Sequence, residues 1–357
     1  MDRINIGVVG ANAERSWAKD SHIPAIQQLP GLNLSAVATR SQESARAAAE
    51  AFGATHWFAD AQGLCRSDAV DLVAVCVKVP EHEAVVRAAL DAGKHVYCEW
   101  PLGRSVEEAE RLADMARRAG VHHAIGLQGR AAPATRRARE VIASGRIGHL
   151  RSARIVSTTA GYAAALPSAY AYLNDPANGA NLTTILGGHT LDLAEQLLGK
   201  VVTLDALSTI QHPTVRLTDT DTTTTRTTPD QLFILSRHEG GCVASIEIGG
   251  DRPGDTPFTF EIIGSNGTLR LSGGHPHGFQ AGELRLDVDG QAEHFAPPLA
   301  KGGLHGGAAN IAQVYAALAS DIRNGTWTVG DFATAARLTR LTANITQASK
   351  SGWRFTA

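Results

Sequence analysis

Over residues 1–127, short apolar runs alternate with segments whose apolar positions recur every three or four residues. The runs Ile4–Val9, Leu34–Ala38, His56–Phe58, Leu72–Val77, His95–Cys98 and His123–Leu127 read as strands. Between them, Ser41 caps an alanine-rich helix that stops near Gly53, and a second helix runs from about Glu81 to Ala92 and stops at Gly93. Ser105-Val106-Glu107-Glu108 has capping-box spacing and opens a helix that ends at Gly120. Strands and helices in alternation predict an α/β domain, a parallel sheet wrapped by helices.

From Gln128 the texture changes. Pro133–Ser144 reads as a helix ending at Gly145, Leu150–Ser157 as a strand, and Gly188–Leu198 as an apolar helix closed by Gly199. Several alternating strands follow between Val201 and Leu271, among them Leu232–Arg237, Cys242–Ile248 and Phe258–Ile263. Strands in succession without helices predict an open, mostly antiparallel sheet. The threonine-rich piece Thr218–Thr228 reads as an exposed edge or loop. Two helices close the chain, Asn310–Asn324 and, behind an Asp331 cap, Phe332–Lys350. The expected division is a dinucleotide-binding domain over 1–127 and an α+β substrate and oligomerisation domain over 128–357. The open sheet has a face that needs covering, so a homodimer or homotetramer through it is expected.

Composition narrows the function. The 357 residues suit two domains, and 43% hydrophobic with 19% charged residues is the profile of a soluble globular protein. Net charge is −2 without a basic block, so neither nucleic acid nor an anionic membrane is an expected partner. No apolar run approaches the roughly 20 residues that span a bilayer. The first strand begins at once, with no signal-peptide pattern, and a cytoplasmic location is expected. Cys65, Cys76, Cys98 and Cys242 lack any CxxC or zinc spacing, so no metal site is expected, and Cys76 and Cys98 read as small buried hydrophobes.

Chemistry is expected beyond the carboxyl ends of the parallel strands. The run Lys94-His95-Val96-Tyr97-Cys98-Glu99-Trp100-Pro101 brings Glu99 and Trp100 there, because Pro101 cannot continue the ladder. The first strand turns at Gly10-Ala11-Asn12-Ala13-Glu14-Arg15-Ser16-Trp17, where a dinucleotide fingerprint would read G-x-G-x-x-G. Only Gly10 fits; Asn12 and Arg15 stand at the other glycines' places, and Asn tolerates left-handed geometry. Gly10, Asn12, Ala13, Ser16 and Trp17 are therefore candidate dinucleotide contacts, with Val77, Glu99, Trp100 and Gln128 at later strand ends. After the second strand an acid suits the NAD ribose and an arginine suits a 2′-phosphate. Thr39-Arg40 stands there, which leans to NADP; the alternative is that Arg40 is a solvated neighbour of the helix cap.

Four stretches together resemble the glucose–fructose oxidoreductase, inositol dehydrogenase and rhizopine-catabolism (Gfo/Idh/MocA) family: the first strand and turn, Ala92–Pro101, Gln128-Gly129-Arg130 with Gly145-Arg146-Ile147-Gly148, and Gly187-Gly188-His189-Thr190-Leu191-Asp192. Ser16-Trp17, the Glu-Trp pair and Leu127-Gln128-Gly129-Arg130 are similar to its branch containing the fungal galactose-regulon repressor and bacterial relatives. The resemblance implies Glu-Lys-Pro at 99–101, with the glutamate on the nicotinamide ribose and the lysine taking the substrate proton. Trp100 has no titrating group for that task. It also implies an aspartate four residues before the histidine, where Ile185 stands. His189, with a reference pKa near 6.5, is the expected proton acceptor, against the alternative of a satisfied core histidine, and Asp192 either orients it or caps the helix.

Other candidates are weaker. Lys78 follows the fourth strand at the correct edge, whereas Lys94 lies at the wrong end. Lys301 sits in a glycine-rich loop, His82 reads as packing or capping, and Arg130 as a tie between the domains. Tyr162, Tyr170 and Tyr172 either line a sugar pocket, with Trp100, Ile185 and His189, or pack ordinarily. Three functions follow: an NAD(P)-dependent oxidoreductase on a sugar, cyclitol or related polyol; a non-catalytic NAD(P)-binding sensor whose partner is a protein; and an NAD-dependent glycosidase using transient oxidation.

Overall fold

The computed structural model describes the chain apart from residues 1–2, 15, 253, 255, 296–302, 353–354 and 357. It divides into two compact units, Met1–Gln128 with Pro298–Arg337, and Gly129–Pro297 with Leu338–Ala357.

The first unit alternates β1 (Ile4–Val9), α1 (Ile23–Gln28), β2 (Leu32–Ala38), α2 (Gln42–Phe52), β3 (His56–Phe58), α3 (Ala61–Arg66), β4 (Leu72–Val75), α4 (Val79–Asp91), β5 (His95–Glu99), α5 (Val106–Ala119) and β6 (His123–Gly126). The six strands form one parallel sheet in the order β3-β2-β1-β4-β5-β6. Local chemistry sets the boundaries. Ser41 and Ser105 accept from the amides of Ser44 and Glu108, and Gly53 and Gly120 close their helices in the left-handed conformation. α4 starts at Val79, two residues earlier than the pattern suggested, because Pro80 suits a first helical turn. The strand order reverses between β1 and β4, and that switch point is where an open parallel sheet binds its ligand.

The second unit opens with α6 (Pro133–Ala143), β7 (Leu150–Thr158), β8 (Ala165–Leu166), α7 (Ile185–Leu198), β9 (Val201–Thr209), β10 (Thr214–Leu217) and β11 (Thr222–Thr225). It continues through β12 (Gln231–His238), β13 (Val243–Gly249), β14 (Phe258–Gly264), β15 (Thr268–Gly273), β16 (Leu284–Val288) and β17 (Gln291–Ala292). α8 (Gly306–Asn324) belongs to the first unit, and after α9 (Phe332–Ser351) the strand β18 (Phe355–Thr356) ends the second. Nine strands form the main sheet, β17-β16-β15-β14-β7-β13-β12-β9-β18, antiparallel except for β7 beside β13. Burial alternates along it: Leu232, Ile234, Ile246 and Ile262 are buried, whereas Phe233, Leu235, Val243 and Ile263 are exposed. The threonine-rich piece contributes β11, an exposed edge strand paired with β10.

A boundary at residue 127 misses one feature. Residues 298–337 return to the first unit, where the Ile125 amide donates to Gly330 O (2.8 Å) and the Phe332 amide to His123 Nδ1 (3.2 Å). The Gly306-Gly307 start of α8 and the Ile185 start of α7 lie upstream of the expected starts at Asn310 and Gly188, because glycine carries no helix signal and an apolar start has no cap.

Candidate active site

The candidate residues fall into two groups, one in each unit. In the first, Gly10 leaves β1 with φ +95°, and a Cβ there would come within 2.6 Å of the Cys76 carbonyl oxygen, so the turn admits only glycine. Asn12 Oδ1 accepts from the Glu14 amide (2.8 Å); Ser16 Oγ donates to Asn12 O (2.9 Å) and accepts from the Lys19 amide (3.1 Å). These two side chains thus rebuild, by local hydrogen bonds, the turn that further glycines would make. Ala13 is half-buried in this turn, and Arg15 lies outside the described residues. The Trp17 ring packs on α8, where a Cβ on Gly307 would fall 2.6 Å from it, and its buried Nε1–H has no acceptor among the described residues. At the end of β2, the Thr39 and Ser41 hydroxyls both contact Ser44 Oγ (2.6 and 2.8 Å) beside an exposed Arg40.

The carboxyl end of β5 is built from polar groups. Glu99 Oε1 accepts from His22 Nε2 (3.0 Å), and His22 Nδ1 lies 2.8 Å from the Tyr315 hydroxyl. Tyr315 stacks on Tyr97 at 4.9 Å between centroids, and His22 stands edge-on to Tyr97 at 5.0 Å. Burial, and then the Glu99 charge, push the Tyr97 phenol and the Cys98 thiol well above their ordinary ranges. Trp100 follows, buried, and is joined to Pro101 by a cis peptide. His82 is buried between the carbonyls of Val77 (3.0 Å) and Pro101 (2.9 Å), a packing tie between the loops after β4 and β5. Val77 is half-buried beside Gly10, and Gln128 is buried with its Oε1 unpartnered among the described residues. Lys78 is exposed at the N-cap of α4; Lys94 donates to Ser67 O (3.0 Å). Lys301 lies outside the described residues.

In the second unit α7 is almost wholly buried. His189 is 5% exposed, its imidazole has no hydrogen-bond partner among the described residues, and Phe279 stands edge-on at 6.4 Å. Burial lowers its pKa to about 3, which corrects the expectation of a histidine titrating near 6.5. Asp192, expected either to orient that ring or to cap the helix, accepts from Arg130 with both oxygens, Oδ2 from Nε at 3.0 Å and Oδ1 from Nη2. Arg130 lies in the same unit, so this ion pair organises one unit instead of tying two. Ile185 is half-buried at the start of the helix. Tyr162 is buried at φ +61°, and burial pushes its phenol up, as it does for the half-buried Tyr172; Tyr170 is exposed.

Comparison with known proteins decides what the halves amount to. Residues 4–127 match the family model described as "Oxidoreductase family, NAD-binding Rossmann fold" (GFO_IDH_MocA), and residues 133–273 match "Gal80p, C-terminal domain". The dehydrogenase aclE of Aspergillus oryzae is 32% identical over 283 residues, covering 76% of this chain and 77% of that protein. The chain belongs to the Gfo/Idh/MocA family. The galactose/lactose metabolism regulatory protein GAL80 of Kluyveromyces lactis is 30% identical over 294 residues, covering 76% of this chain and 64% of that protein. A levoglucosan dehydrogenase solved with NADH and levoglucosan shares the fold, with a TM-score of 0.84 at 19% identity and 99% of each chain covered. The family thus includes sugar dehydrogenases and regulators alike.

Against the family pattern, two residues escaped the sequence. His22 and Tyr315 lie outside the stretches that carry the resemblance, 293 positions apart. Gly126, at the end of β6, was the one legible hint, since a Cβ there would strike Glu99 Oε1 at 2.7 Å. A third is Arg226, fully buried, which donates to Asn174 Oδ1 (3.0 Å), Tyr162 O (2.6 Å), Ala163 O (2.9 Å) and Asp230 Oδ2 (3.2 Å) and so holds the tyrosine segment in place.

Proposed function

We propose that this family member is an NAD(P)-dependent oxidoreductase acting on a sugar, cyclitol or related polyol. The observation that carries the proposal is the His189 imidazole, 5% exposed and without a hydrogen bond among the described residues, at the family histidine's place. A ring nitrogen with no protein partner is open to a hydrogen bond with a ligand hydroxyl. The residues of the first unit suit a dinucleotide: the glycine-only turn at Gly10, the spare Trp17 Nε1–H and Gln128 Oε1, and the carboxylate of Glu99. When bound, the dinucleotide supplies the hydride acceptor. Arg40 with the Thr39, Ser41 and Ser44 hydroxyls favours a 2′-phosphate, hence NADP.

His189 receives the proton in this account. An alcohol that has lost its hydride is a protonated carbonyl, a far stronger acid than an imidazolium of pKa about 3, so the neutral ring remains competent. Its low basicity reduces the contribution below that of a base poised near neutrality. Trp100 supplies a flat wall where other family members have an amine.

A second reading, a dinucleotide-dependent sensor, is favoured by Trp100 together with the weakened His189, and GAL80 is a regulator by name. Screening the purified protein against sugars and polyols with NAD+ and NADP+, following the absorbance of reduced cofactor, separates the two. Turnover that disappears in His189→Ala supports the oxidoreductase; cofactor binding without turnover on any substrate supports the sensor.

We further propose a homodimer or homotetramer. Leu207, Phe233, Leu235, Val243 and Ile263 are exposed on one sheet face, interleaved with Asp205, Arg154 and Glu261. A second copy would bury that apolar face against its own mixture of charges. A monomer in sedimentation at micromolar concentration overturns it. The four cysteines are free, consistent with a reducing, cytoplasmic setting, and no helix among the described residues is long and apolar enough to cross a membrane.

A further inference from the structure

We infer that His22 and Tyr315 are positioning residues that fix the Glu99 carboxylate in one pose and leave its second oxygen for a ligand. This role rests on the dinucleotide reading proposed above, and it adds two residues outside the stretches that carry the family resemblance.

Three contacts define the pose. Gly126 lies beneath the carboxylate, where an added Cβ would sit 2.7 Å from Oε1 and 3.0 Å from Cδ. His22 holds Oε1 from the side at 3.0 Å. Tyr315 holds the far nitrogen of the same ring at 2.8 Å. The His22 side chain is completely buried and that of Glu99 is 15% exposed, so the carboxylate is sealed except at its outer part.

The donors and acceptors admit one consistent arrangement at neutral charge on the ring. A carboxylate only accepts, so His22 Nε2 carries the proton and donates to Oε1. Nδ1 is then an acceptor, and the Tyr315 O–H donates to it. Burial, then Cys76 and Glu99, push the Tyr315 phenol well up, which keeps that proton in place. The chain of bonds runs from hydroxyl to imidazole to carboxylate, each bond polarising the next.

The Glu99 carboxylate stands among weak acids. Its charge faces Tyr97, Cys76 and Cys98, each of which it pushes up after burial has done so. Without the His22 donor the carboxylate would be left among these groups with its Oε1 unsatisfied, and its rotamer would be free to change. A locked carboxylate whose outer part is exposed is suited to accept from a ligand hydroxyl at the end of β5, and the side chain need not be ordered at the moment of binding.

The test uses the full-length protein. Calorimetric titration with NAD+ and NADP+ should show that His22→Ala weakens binding of the preferred dinucleotide about tenfold or more, the loss expected for one donor to a charged group. His22→Gln, which can still present an N–H, should recover most of that loss, and Gly126→Ala should reproduce it. The double variant His22→Ala/Glu99→Leu should bind no worse than Glu99→Leu alone, because both remove one device. Wild-type affinity in His22→Ala, or additive losses in the double variant, overturns the assignment. Nitrogen-15 NMR of the ligand-free protein decides it independently of any cofactor. A protected His22 Nε2–H that disappears in Glu99→Leu supports the clamp, and an unprotonated Nε2, or an Nε2–H indifferent to Glu99→Leu, refutes it. Should the wild type bind neither dinucleotide, the cofactor reading fails while the NMR result still stands for or against the clamp.

Discussion

The carboxyl end of β5 and the start of α7 treat their buried polar groups in opposite ways. Glu99 has a donor, that donor has its own donor, and a glycine makes room for the carboxylate. His189 has aromatic and apolar neighbours and no hydrogen bond among the described residues. The first arrangement is finished before any ligand arrives. The second leaves its ring without a protein partner, and in the proposed function the contrast is between a preorganised contact and a group that meets the substrate.

The comparison breaks most visibly at His189. His189→Ala should lower turnover about 10- to 100-fold, at or below the low end of the range for a positioned acid–base group because of its low basicity, while leaving dinucleotide affinity within about twofold. Steady-state kinetics with parallel titrations checks this, and equal loss of both would place His189 with the cofactor contacts. Gly10→Ala tests the other half: a strained φ and a 2.6 Å approach to Cys76 O should lower unfolding free energy by about 2–3 kcal/mol in denaturant melts.

Acid sharpens the contrast next. His189 and His123 are held neutral by burial, with pKa values lowered to about 3 and about 4, against 6.5 when unfolded. Below pH 6.5 the unfolded chain binds more protons, so their stabilisation is complete above that pH and is lost as pH falls toward 4 and then 3. The slope is about 1.4 kcal/mol per pH unit for each, measurable by urea melts at pH 7, 6 and 5, and His123→Gln should remove one share. The same low value predicts kcat/KM without a histidine inflection between pH 5 and 8. The smallest effect is at Arg40, where Arg40→Ala should weaken NADP+ about tenfold and NAD+ by less than about twofold; equal losses would remove the argument for a 2′-phosphate.

Much of the fold was legible because its determinants are local. Ser41, Ser105, Gly53 and Gly120 mark helix ends through contacts within a few residues, and strand alternation exposed the open sheet. Glu99 and Trp100 were legible through the proline that stops their strand. The return of α8 to the first unit was not, since its determinants are long-range: Tyr315 reaching His22, and Gly307 receiving Trp17. The basicity of His189 was equally hidden, because it depends on what surrounds the ring and not on its sequence neighbours. The Arg130 partner of Asp192 was hidden for the same reason, as it lies 62 positions away.

The account turns on a dinucleotide bound at the end of β5 and held in part by Glu99. Calorimetric titration of the wild type and Glu99→Leu with NAD+ and NADP+ tests this most directly. Saturable binding of at least one dinucleotide, weakened about tenfold or more in the variant, is the predicted result; no heat with either, or identical affinities in both proteins, would contradict it.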